Sequence, residues 1–259
     1  MKQETLGHWF NNNHGRIGRL NRRLRSKVDI FSVGIVPPRY LEDRMSIPTS
    51  YVDEHGRVWY PLRHHGRKQF TVSQLLIGSG VPVAPIVRRL SADMNRVQYL
   101  SYRFTNGDLE EQQKRFPLHN TMDDIWASDF ILRAVFFDID RAVLEGSENN
   151  VEKRGGSYYF HDFDAADLYT TKNPASMLTD RLEVYKAYNN NTEGLLTFFD
   201  KKLCTIKEHL QKPHVPELIV EAMKDSSGDT CSLEEAEKIQ QTLLNRVMEA
   251  ELWCKKQEK

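Results

Sequence analysis

The hydrophobic pattern of this chain changes period once, between about residues 104 and 121, and that change limits the architectures open to it. Upstream of it, short runs of β-branched and aromatic residues alternate with turn signals. The run "VDIFSVGIV" stops at Pro37-Pro38, and "TSYVDEHGRVWYPLR" predicts two strands joined by a turn at His55-Gly56. "FTVSQLLIGSG" predicts a short helix ending at Gly78 or Gly80, while "VPVAPIVRRL" and "RVQYLSYRF" predict an extended pair around "SADMN".

Downstream, the apolar spacing is helical. Thr121 with Asp124 resembles a capping box, and Trp126, Phe130, Ala134 and Phe137 recur every three or four residues, which predicts a helix over 122–143. "GSYYFHDFD" predicts a strand after the Gly155-Gly156 turn. Four later stretches, beginning at Ser176, Glu193, Val215 and Ser232, predict helices, the last opened by a second capping box of Ser232 with Glu235. Trp253 is expected to pack that last helix against the helical body.

Charge and thiol content narrow the function classes. Lys plus Arg equals Asp plus Glu at 36 each in 259 residues, so no global basic field argues for nucleic acid. Residues 1 to 28 are locally basic, with seven Lys and Arg against Glu4 alone, which leaves RNA, lipid or a nucleotide open as an anionic partner. Cys204, Cys231 and Cys254 are odd in number and widely spaced, which suits reduced thiols and a cytoplasmic setting. No apolar run reaches the length of a membrane span, and no secretory signal is expected. His55, His64, His65 and His161 lack ligand spacing for a metal.

Two Asp-x-Asp pairs, Asp138/Asp140 and Asp162/Asp164, are the main candidates for chemistry, since Mg²⁺ takes carboxylate and phosphate oxygens. "AVFFDIDRAVLEGS" resembles the first motif of haloacid-dehalogenase-like phosphatases, in which a buried strand ends in Asp-x-Asp. Arg141 and Ala142 stand where that family has Gly-Thr. Read with its flanks, the first pair continues the helix from Thr121, where residues two apart do not face each other and Asp138 pairs more simply with Arg141.

The second pair closes a strand after a Gly-Gly turn, with Glu145 and then Asn150 upstream. "EGSENNV" through "YYFHDFDAADL" resembles the catalytic loop and hairpin of the protein-kinase-like superfamily in its atypical branches: aminoglycoside phosphotransferases, lipopolysaccharide-core kinases and spore-coat-protein kinases. The resemblance implies an α+β, two-lobed, protein-kinase-like fold with a small sheet-rich N-lobe and a larger helical C-lobe. The division would be a basic segment over 1–27, an N-lobe over 28–107 and a C-lobe over 108–259. It also implies Mg-ATP held between the lobes by Asn150 and Asp162, with Asp164 as a further carboxylate, and phosphoryl transfer to an unknown protein or small-molecule acceptor.

Several positions depart from the family pattern. Glu145 stands where a catalytic Asp is usual, with Asp140 as a substitute candidate from the helix end. Arg63, with Lys68 five residues later, stands where a phosphate-pairing Lys is expected. No Glu occurs between Glu54 and Glu110, so Gln74 is the nearest polar replacement on the small-lobe helix, and "HGRIG" at residues 14 to 18 is the nearest Gly-rich loop. The alternative expectation is therefore a pseudokinase, binding nucleotide or a protein partner without catalysis.

Overall fold

A computed structural model describes residues 34–35, 51–52, 58–62, 65–77, 79–84, 86–91, 96–103, 122–138, 151–154, 157–224 and 230–257. Among these, the strands are β1 (Gly34–Ile35), β2 (Tyr51–Val52), β3 (Val58–Pro61), β4 (Ile86–Ser91), β5 (Arg96–Arg103), β6 (Val151–Arg154) and β7 (Ser157–Phe160). The helices are α1 (Gly66–Leu76), α2 (Met122–Phe136), α3 (Ala175–Tyr188), α4 (Thr192–Leu210), α5 (Val215–Ala222) and α6 (Leu233–Gln257).

Strands β1 to β5 pair antiparallel in the order β1-β2-β3-β5-β4, and β6 and β7 form a separate hairpin. α1 enters directly after β3. Its first residue is Gly66, where a Cβ would fall 2.6 Å from the Tyr99 ring, so only glycine lets the helix start this close to β5. From Thr71 to Leu76 every side chain is buried, which makes α1 a core helix rather than a surface one.

α2 is the axis of the helical body. Asp123 and Asp124 open it and Arg133 lies in its last turn, which sets both ends favourably against the helix dipole, by about 0.3–1 kcal/mol each. Its residues 125 to 136 are all buried. Phe130 meets Phe199 of α4 and Trp253 of α6, at ring centroid distances of 5.5 and 6.0 Å, and the Trp253 indole donates to Thr179 of α3. Asp123 knots the start of the helix. It accepts a 2.5 Å hydrogen bond from the Tyr185 hydroxyl and another of 2.5 Å from Asn191, whose own side-chain oxygen caps α4 at the Gly194 amide.

Three buried guanidinium groups complete the body. Asp129 accepts from Arg133 at 3.0 Å and from Arg181 at 2.7 Å, and the Arg181 guanidinium lies 4.3 Å over the Trp126 ring. Arg246 of α6, 2% exposed, donates to the backbone carbonyls of Val135, Asp167 and Thr170 and stacks 4.4 Å over Phe137.

The expected fold class is overturned. A two-lobed kinase-like arrangement needs a sheet-rich small lobe standing apart, whereas helices form most of the described chain and β1 and β2 are two residues each. A single apolar core runs from Val72 and Leu75 of α1 through Val83 and Ile86 to Val247 and Trp253 of α6. α1 is part of that core and also packs on α5 and α4. The local alternation of β-branched residues correctly marks extended backbone. It carries no information about whether those strands bury a core of their own.

Two local expectations change as well. The helix over 122–143 stops at Phe136, because Phe137 takes the left-handed conformation at φ 50° and turns the chain away. Asp138 is thus buried beyond a helix end and not on a helix face, which removes the helical geometry behind its pairing with Arg141. The dehalogenase-like expectation falls with it, since that motif needs a strand where α2 stands. The Ser232 cap is present, its hydroxyl accepting from the Glu235 amide at 3.1 Å, while Thr121 and the division near 104 to 118 lie outside the described residues.

Two outcomes test this packing. Arg246→Met keeps the bulk but leaves three buried carbonyl sites without their donor, and should lower urea-measured stability by about 3 kcal/mol, with Arg246→Lys recovering only part. The second concerns Tyr185, whose hydroxyl is pushed above the tyrosine value of 10.0 by burial first and by the Asp123 bond and charge second. An acid whose folded-state pKa is raised stabilises the fold fully below its unfolded value and loses that contribution as pH climbs past it. Stability should therefore fall above about pH 10, and Tyr185→Phe should flatten that fall while costing about 1 kcal/mol at neutral pH.

Candidate functional site

Residues 161 to 170 form the turn that carries the second acidic pair, and three separate elements fix its course. The strand leading into it is the first. Phe160 pairs in parallel with Val83, its amide donating to Pro82 O and its carbonyl accepting from the Ala84 amide, each at 2.9 Å. The segment that follows α1 thereby holds the entrance to the turn.

α1 itself supplies the second hold. Gln69 Oε1 accepts from the Phe163 amide at 3.2 Å, with Gln69 3% exposed and Phe163 fully buried. Lys68, the next residue upstream, donates its ammonium to the Asp164 carbonyl. Lys68 and Gln69 thus hold the backbone of two successive residues of the acidic turn, and the helix that carries them has Arg67 and Lys68 in its first turn and no acid there. Arg67 reaches the other way, to the Met223 carbonyl at the end of α5.

The third hold closes the turn from below. The Asp167 amide donates to Phe136 O at 2.7 Å, and the Asp167 carboxylate accepts from the Tyr169 and Thr170 amides at 2.7 and 3.0 Å, an Asx turn. Arg246 binds the carbonyls of Asp167 and Thr170 at the same place. Its proton affinity is drawn down to about 10 by burial, against the opposing pull of Asp167, so the group is still charged at neutral pH. Tyr169 leaves the turn with its hydroxyl 3.4 Å from Glu235 of α6, and burial, then the charges of Glu235 and Cys231, hold that hydroxyl above the usual tyrosine range.

Within this frame Asp162 adopts φ 57°, one of three non-glycine residues at positive φ among those described. A non-glycine residue in that region costs roughly 1 kcal/mol or more and persists only where the surroundings dictate it. Here the dictating groups are the Phe160 pairing on one side and the Gln69 bond on the other. The arrangement sets Asp162 and Asp164 two residues apart on one short, backbone-fixed turn, with the Lys68 ammonium on the Asp164 carbonyl.

The sequence-derived candidates divide as follows. Lys68 is brought to the Asp164 carbonyl, two residues along the same turn from Asp162. Gln74 is in the same helix as Lys68, 6% exposed, but five residues beyond Gln69 and so roughly 140° around the helix from it. Arg63, Asp140, Glu145 and Asn150 lie outside the described residues, as does the "HGRIG" segment. Among the described residues no group of three or more His, Cys, Asp or Glu is placed to hold a metal ion.

Three residues that shape the turn were not singled out in the sequence: Gln69, Asp167 and Arg246. Asp167 had a readable signal, an Asp two residues before the backbone amide it caps, whereas Gln69 and Arg246 act over separations of 94 and 79 residues with no local trace. No family model, no curated protein and no solved structure matches the chain. No helix among the described residues is long and apolar enough to cross a membrane.

Proposed function

We propose that this chain is a Mg²⁺-dependent, ATP-binding phosphotransferase whose metal and phosphate groups meet at the Asp162-Phe163-Asp164 turn. The observation that carries the proposal is the convergence of Lys68 and Gln69 on that turn, in the segment whose sequence resembles the catalytic loop and hairpin of atypical protein-kinase-like enzymes. Support comes from the site and its motif, not from the fold.

The chemistry asks little covalent work of a protein. Phosphoryl transfer is governed by positioning and by neutralising the charge on the transferring group. A bound Mg²⁺ would supply that neutralisation, held by Asp162 and Asn150 with Asp164 beside them. Lys68, whose ammonium already lies against the turn, would offer a point charge to the phosphates, joined by Arg63. Glu145, or Asp140 in its place, would orient the acceptor hydroxyl. The acceptor is a small molecule or a protein, and a cytoplasmic setting accords with three cysteines outside any disulfide.

A second reading is favoured by one feature. The α1 group facing the turn is the neutral amide of Gln69 where an active kinase-like site would use a carboxylate, which fits a pseudokinase that binds nucleotide or a protein partner without turnover.

Thermal denaturation with ATP, with and without Mg²⁺, separates the outcomes. The native chain should gain a Mg²⁺-dependent stabilisation that Asp162→Ala loses. An equal shift in both proteins, or none in the native chain, would remove the metal-nucleotide role. Radiolabelled phosphate appearing on any acceptor, and vanishing in Asp162→Ala, would exclude the pseudokinase.

A further inference from the structure

We propose that Gln69 is a positioning residue that sets the geometry of the acidic turn, and that through it the placement of α1 controls how well Asp162 receives a divalent cation. The inference rests on the metal-nucleotide reading of the turn and goes beyond it by naming the group that tunes the turn.

Three observations support the assignment. Gln69 is buried at 3% exposure, an expensive place for a primary amide unless its polar atoms are used. Its Oε1 accepts from the Phe163 amide, the peptide joined directly to Asp162. Asp162 sits at φ 57°, a conformation that the backbone relinquishes when the forces holding it are removed. The peptide that Gln69 grips is therefore the one whose rotation would release the strained residue and re-aim its carboxylate.

The rest of the surroundings make α1 a stiff lever. Thr71 to Leu76 are buried in the common core, and Lys68 grips the Asp164 carbonyl one residue beyond Gln69's own target. A shift of α1 along its axis would move both holds together. The side chain must also be an acceptor at that point, because the Phe163 amide can only donate. An apolar isostere would fill the space and leave the amide without its partner.

The experiment compares native chain, Gln69→Leu and Gln69→Glu, each first shown by thermal denaturation to fold cooperatively. Two readouts follow: exchange of the Phe163 amide by NMR, and the Mg²⁺ concentration giving half-maximal ATP binding. Gln69→Leu should speed Phe163 exchange at least tenfold and raise the Mg²⁺ requirement about tenfold, while Mg²⁺-free ATP binding changes little. Gln69→Glu, which keeps an acceptor oxygen at the same reach, should retain Phe163 protection. Should Gln69→Leu leave both the exchange rate and the Mg²⁺ requirement at native values, the positioning role is overturned. The same holds if Gln69→Glu loses protection as fully as Gln69→Leu. Failure of the underlying reading is distinct, since it is seen in the native chain as no Mg²⁺-dependent ATP binding at all, whatever the variants do.

Discussion

A single buried cation organises the part of this protein that matters most. Arg246 comes from the last helix, yet its guanidinium satisfies the carbonyl of Val135 at the end of α2 and those of Asp167 and Thr170 at the exit of the acidic turn. Carbonyls at a helix C-terminus carry partial negative charge and have no intrahelical donors, so a planar cation with five donors is well matched to them. Because the same group serves α2 and the turn, neither can move without the other. Phe137, at φ 50° with its ring beneath the guanidinium at 4.4 Å, is the hinge residue that this arrangement holds in place.

The opposite side of the turn depends on α1. That helix starts with two cations near its positive end and has His65, at φ 50°, as a cap without a side-chain bond. Its local sequence therefore contributes little to its stability, and its persistence comes from burial against α4, α5 and the strands. A helix so dependent on its surroundings transmits their position to whatever it touches. Lys68 and Gln69 touch the acidic turn, which places the turn between two elements distant in sequence, α1 and α6. Asp162 is held at positive φ between the Phe160 pairing on one side and the Gln69 bond on the other.

Much of the local structure was legible in the sequence, and the fold class was not. The antiparallel pairings of β2 with β3, of β4 with β5 and of β6 with β7, and the four C-terminal helices, follow from period and turn chemistry, both properties of short windows. The α2 stop at Phe136 was missed because a Phe in the left-handed region has no sequence signature, unlike glycine or proline. The two-lobed expectation failed for a related reason: alternating residues mark a strand, but whether a separate small lobe forms depends on where α1 buries its side chains. For the site, the acidic residues and Lys68 were visible as residue types. Gln69 was passed over for Gln74 because helical phase alone cannot say which face meets a turn nearly a hundred residues away.

The acidic turn is locked to the body by Arg246 and Gln69 and is not a loop that opens by itself. Native-state hydrogen exchange across a denaturant series measures this directly. The amides of Phe163, Asp167, Tyr169 and Thr170 should exchange through the same global opening as the buried stretch of α6 around Leu243 to Ala250, with free energies agreeing within about 1 kcal/mol. Turn amides that exchange through a low-energy local opening, insensitive to denaturant while α6 stays protected, would show a turn that opens independently of Arg246 and Gln69.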